Sequence, residues 1–93
     1  MALILHIETA TNICSVALSD KEEIIGLKET GKHNAHSEML TIFVRDVLSD
    51  AGTSPAALDA VSVSSGPGSY TGLRIGVSVA KGLCYALDKP LIS

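Results

Sequence analysis

One run of residues concentrates the groups that can do chemistry: Ser64-Ser65-Gly66-Pro67-Gly68-Ser69-Tyr70-Thr71-Gly72-Leu73-Arg74-Ile75-Gly76. It reads as the end of a strand, a glycine-rich elbow and the start of a helix. Free backbone N–H groups at a helix N-terminus suit a phosphate or carboxylate. Gly66, Gly68, Ser69 and Thr71 are therefore candidates for an anion or nucleotide contact, with Glu8 at the end of the first strand. The specific nucleotide fingerprints fail. No Lys follows Gly72 at phosphate-loop spacing, and Thr71 stands where a dinucleotide loop has its third glycine. A tight turn whose glycines meet backbone constraints accounts for the same residues.

The remaining candidates are sparser. His33 and His36 are spaced as His-x-x-His, but no Asp or Cys nearby completes a metal set. His36-Ser37-Glu38 also reads as local capping of a helix start. His6, inside a strand, reads as structural. No Gly-x-Ser-x-Gly elbow or complete triad can be assigned. Arg74, in a first helical turn, suits an anion or a partner carboxylate, and equally an ordinary surface position. Cys14 and Cys84 lie in apolar runs and read as two buried thiols in a reducing compartment.

The chain has 93 residues, 46% hydrophobic and 18% charged, which bounds it to one small domain. Its net charge of −3 gives no electrostatic case for autonomous nucleic-acid binding. No apolar run reaches the ~20 residues of a membrane span, and the N-terminus lacks the basic region of a signal peptide. A cytoplasmic protein is expected.

The elements that must position these residues follow from periodicity. Leu3 to Glu8 reads as a strand. Ile13 to Ser19 alternates Cys14, Val16 and Leu18 against Ser15, Ala17 and Ser19, a second strand. Asp20-Lys21 makes a hairpin turn, and Glu23 to Thr30 is a third strand with Ile25 and Leu27 on one face. From about Ser37 the period becomes helical, with Met39, Leu40, Phe43, Val44, Val47 and Leu48 on one face. Gly52 stops that helix. Ser54-Pro55 caps a short turn, Ala60 to Ser64 is a fourth strand, Tyr70 to Leu87 a second helix, and Pro90 to Ser93 begins a fifth strand. The order βββαβαβ implies an α/β lobe. Its early strands should be antiparallel and its later ones parallel to the first, in a mixed five-stranded sheet. That is the ribonuclease H-like lobe of actin, hexokinase and Hsp70-type proteins. Such lobes come in pairs, so residues 1–93 are expected to form a single N-terminal lobe without its C-terminal companion.

The second helix is unusual. Gly72, Gly76, Ala80 and Cys84 recur four apart and form one row. Each interior Gly costs about 1 kcal/mol relative to Ala, so a close approach of another backbone, helix or ligand is expected in return. The helix is apolar on two sides. One side should lie on the sheet, and the other should meet the first helix, a missing lobe or a partner protein.

The elbow run, followed by Ala80-Lys81-Gly82-Leu83 and Pro90-Leu91, strongly resembles the TsaB (YeaZ) family. Ile4-Leu5-His6-Ile7-Glu8-Thr9-Ala10-Thr11, Cys14-Ser15-Val16-Ala17-Leu18 and His36-Ser37-Glu38-Met39-Leu40 resemble that family's opening hairpin and first helix start. Glu8 stands where Asp is the family's commoner residue. The paralogous TsaD family shares the Gly-Pro-Gly and Ala-Lys pieces, but has a longer segment before the first helix.

The resemblance implies a non-catalytic subunit for N6-threonylcarbamoyladenosine formation at position 37 of tRNA. It would pair through its helices with the catalytic paralogue TsaD, be joined by the ATPase TsaE, and form a homodimer without them. It would meet tRNA only indirectly. The interface so implied takes Gly72, Arg74, Ile75, Gly76, Val79, Ala80 and Leu83 from the second helix, and His36, Met39 and Leu40 from the first. No catalytic residue, metal or resident cofactor is implied. An adenine nucleotide at the partner interface is the one ligand left open. The alternatives are a glycoprotease-like metallopeptidase and an actin-like nucleotide-binding enzyme or chaperone.

Overall fold

The computed structural model describes residues 2–9, 14–30, 37–64 and 70–92. Strands β1 (Leu3–Glu8), β2 (Cys14–Asp20) and β3 (Glu23–Thr30) precede helix α1 (Ser37–Asp50). A single 3₁₀ turn (Pro55–Ala57), β4 (Ala60–Val63), α2 (Tyr70–Leu87) and β5 (Leu91–Ile92) complete the order. The five strands form one sheet in the order β3-β2-β1-β4-β5. The β1–β2 and β2–β3 pairs are antiparallel, and β4 and β5 join in parallel. The expected α/β lobe and strand directions are thus present.

Alternation decides which side of the sheet carries the core. Leu3, Leu5 and Ile7 of β1, Cys14, Val16 and Leu18 of β2, and Val61 and Val63 of β4 are buried together with Leu40, Val44, Val47 and Leu48 of α1. Both helices therefore lie on one face. The opposite face carries one row across all five strands, Leu27, Ala17, His6, Ser62 and Ile92 in successive register. No described element packs on that row.

Local chemistry sets the boundaries. The β2–β3 turn falls at Lys21-Glu22, one residue later than expected, because β2 runs on through Asp20. Lys21 takes the left-handed conformation (φ 59) and donates its N–H to Ala2 O at 2.9 Å. Asp59 fastens the other side of β1. Its carboxylate accepts from Leu3 N at 2.7 Å, and its own N–H donates to Leu3 O at 2.8 Å. Gly52, at φ 70, ends α1 as expected, and Thr53 N reaches back to Leu48 O at 3.0 Å. Asp88 does the same for α2, at φ 54 with Lys89 N donating to Cys84 O. Ser54 precedes the 3₁₀ turn but its side chain makes no capping bond. Pro55 at the first position presets the turn instead, and Leu58 N closes it onto Pro55 O.

Candidate partner interface

The row of small residues on α2 faces inward. Gly76 is buried against Thr9 at the end of β1, and Ala80 is fully buried in the core. A β-carbon on Gly76 would overlap Thr9 Oγ1 and lie 3.4 Å from Thr9 Cβ and Cγ2. The close approach that the glycines demand is therefore supplied by this lobe's own sheet. That corrects the expectation for three interface residues. Gly76, Ala80 and Leu40 fill the interior and present nothing to a partner. Arg74 is exposed, while Ile75, Val79, Leu83 and Met39 are half-buried at the helix margins. Gly72 and Thr71 fall within α2, but their surroundings lie outside the described residues. His36, Gly66, Gly68 and Ser69 lie outside them altogether, as do His33 and most of the elbow.

What α1 and α2 do present is a groove between them of about 240 Å³, lined by Thr41, Val44, Ser78, Val79, Gly82 and Leu83. It continues along α1 past Arg45 and Leu48 to Thr53, and along α2 past Arg74, Val77 and Lys81. Gly82 was not singled out by the sequence reasoning. A β-carbon there meets nothing within 4 Å, so this glycine leaves the groove open where its neighbour Gly76 closes on the sheet. Its position two residues off the buried row was the available signal.

The two helices differ in charge. α2 holds no acidic residue, and its exposed Arg74, Ser78, Lys81 and Tyr85 recur at helical spacing as one stripe. α1 carries Glu38, Asp46 and Asp50 with Arg45, but of these Arg45 is the one that lines the groove, and Asp50 pairs with Lys28 of β3. Arg45 stands 3.6 Å from Asp46.

At the end of β1, Glu8 is half-buried opposite Ser15. Thr9 beside it is 1% exposed, and its Oγ1 has no hydrogen-bond partner. Nothing in the sequence around Thr9 marked it as buried. His6 shares a 2.8 Å hydrogen bond between Nε2 and Ser19 Oγ on the uncovered sheet face, and burial lowers its pKa. Burial pushes both thiols up. Cys84 also donates to Pro90 O at 3.5 Å, and the two cysteines are unbridged. Among the described residues no group of three or more His, Cys, Asp or Glu could hold a metal ion. No helix of the described residues is long and apolar enough to cross a membrane.

This is a ribonuclease H-like lobe, and residues 13–93 match the family described as "TsaD: tRNA N6-adenosine threonylcarbamoyltransferase". The chain belongs to that family. Several of its relatives carry the TsaB name. It is 38% identical over 89 residues to the "tRNA threonylcarbamoyladenosine biosynthesis protein TsaB" of Escherichia coli (strain K12), covering 96% of this chain and 38% of that protein. It is 38% identical over 88 residues to the protein of the same name in Bacillus subtilis (strain 168), covering 95% of this chain and 38% of the relative. The solved structure described as "YeaZ from Pseudomonas aeruginosa" superposes with a TM-score of 0.90 at 36% identity, over 99% of this chain and 43% of that one. The chain thus spans less than half the length of the proteins it matches.

Proposed function

We propose that this chain is the N-terminal lobe of a TsaB-type accessory subunit in the formation of N6-threonylcarbamoyladenosine on tRNA. In this reading its part is structural rather than catalytic. Its work is to dock, through the groove between α1 and α2, onto the corresponding helix layer of the catalytic paralogue TsaD, with TsaE joining the pair. Without that partner the same surface pairs with a second copy. An adenine nucleotide at the joint is compatible with this reading and is not required by it.

The observation that carries the proposal is the open groove between α1 and α2 at Gly82, lined by Val44, Val79 and Leu83. Related lobes meeting about a two-fold axis would set α1 of one against α2 of the other, so each groove is filled from the partner's helix layer. The test is size-exclusion chromatography with light scattering, alone and with the TsaD protein of the same organism. A 1:1 complex is expected, and a Gly82→Leu variant should abolish it while circular dichroism stays unchanged. A complex that tolerates Gly82→Leu would place docking elsewhere. A chain that ignores TsaD would remove the accessory role of this lobe.

A further inference from the structure

β3 is an edge strand, paired among the described strands with β2. Among the described residues six large hydrophobic side chains are exposed, and three of them fall within four residues of this strand: Ile24 at 57%, Ile25 at 42% and Leu27 at 52%. The cause lies in the backbone. Gly26 pairs with Leu18 and Ile24 with Ser19, so Ile25 is an extra residue and β3 bulges there. Strict alternation would have turned one of Ile24 and Ile25 toward α1. The bulge leaves both exposed. Gly26 takes the inward position instead, where a β-carbon would already touch Val47 Cγ1 at 3.4 Å.

An exposed apolar edge is a pairing template, and proteins normally guard one with a lysine. Here the only lysine of the strand is engaged. Lys28 Nζ lies 3.1 Å from Asp50 at the end of α1. The remaining charges of the strand are Glu23 and Glu29, with Glu22 preceding them in the turn beside Lys21. The edge is thus apolar in its middle and acidic at both ends.

We propose that β3 is a docking edge for an extended protein segment that is apolar in its middle and basic at both ends, which adds as a sixth strand. The added strand's backbone would complete the free side of the β3 ladder. Its apolar side chains would cover Ile24, Ile25 and Leu27, and its basic ones would meet Glu23 and Glu29. This surface is separate from the groove between α1 and α2, so the two proposals stand or fall independently.

The test uses three synthetic octapeptides: four valines flanked by two lysines at each end, four valines flanked by two glutamates at each end, and the lysine peptide with alternate backbone amides N-methylated so that it cannot ladder. Backbone amide exchange of the chain is followed by NMR with each. The lysine peptide should slow exchange along β3 by at least about tenfold, and the other two should not. In a Glu23→Lys, Glu29→Lys variant, whose substitutions are at the surface, the preference should switch to the glutamate peptide. Equal protection by lysine and glutamate peptides would overturn the proposal, as would protection by the N-methylated peptide or none at all. So would β3 amides already protected by a second copy of the chain.

Discussion

Thr9 and Gly76 leave no space between the end of β1 and the second turn of α2. One added methyl at Gly76 collides with a hydroxyl that is itself buried without a partner. The pair fixes how closely α2 sits on the sheet, and with it the depth of the groove on the helix layer's outer side.

Gly76→Ala should destabilise the lobe by about 1–3 kcal/mol, the usual cost of overpacking where backbone must move. Thr9→Ala in the same chain should recover part of that loss. Urea unfolding of the single and double variants checks it, and strictly additive effects would show that the two residues do not touch.

Thr9→Val removes an unpartnered buried hydroxyl while keeping the side chain's shape. Replacing such a group by an apolar isostere is close to neutral or stabilising, so this variant should match or exceed the parent chain in its urea midpoint. A clear loss of stability would mean that Thr9 Oγ1 is hydrogen-bonded in solution.

The two glycines with a test outside the core should behave oppositely. Gly82 is helical and faces open space, so Gly82→Ala should stabilise by about 0.5–1 kcal/mol. Gly52 sits at φ 70, so Gly52→Ala should destabilise by about 1 kcal/mol although nothing crowds it. Thermal unfolding midpoints of the two variants, read against the parent, decide both.

Burial lowers the pKa of His6 from 6.5, so the unfolded chain binds its proton more readily than the folded one. Stability from this residue is therefore complete above about pH 6.5 and falls as pH drops from there toward the folded value. Replacing the ring by His6→Gln should flatten that part of the stability profile. Stability of the two chains measured from pH 7.5 to pH 5 gives the difference directly, and parallel profiles would show that His6 binds its proton equally well in the folded and unfolded chains.

The Lys28–Asp50 pair is largely exposed and should contribute less than about 1 kcal/mol. Asp50→Asn should have a small effect on unfolding at low salt and none at high salt. Its sharper consequence is at the edge of the sheet, where freeing Lys28 would add a guard to β3.

Much of this architecture is legible in the residues. The two-residue alternation of β1 and β2 and the helical period from Met39 to Leu48 fix the elements and their inward faces, because burial follows the same geometry that spaces the side chains. The small-residue row of α2 was legible as a site of close approach. Which surface approaches it was not, since a glycine records only that something is near. Here it is Thr9, distant in sequence and unremarkable in type. The bulge at Ile25 was equally hidden, because Ile24-Ile25-Gly26-Leu27 also fits an unbroken strand. The groove at Gly82 needed the relative placement of two helices, which no single helix encodes.

The pairing of β1 with β4 bears on when the lobe can fold. The β1–β2–β3 meander is local and can form as soon as its own residues leave the ribosome. The bond from Leu3 to Asp59, however, spans 56 residues, and β1 has no second neighbour until β4 arrives. Leu5 and Ile7 are therefore left incompletely covered during most of synthesis of this segment. The interval before Val61 and Val63 emerge is when the nascent lobe is most open to capture by chaperones, and slow translation before β4 emerges would prolong it.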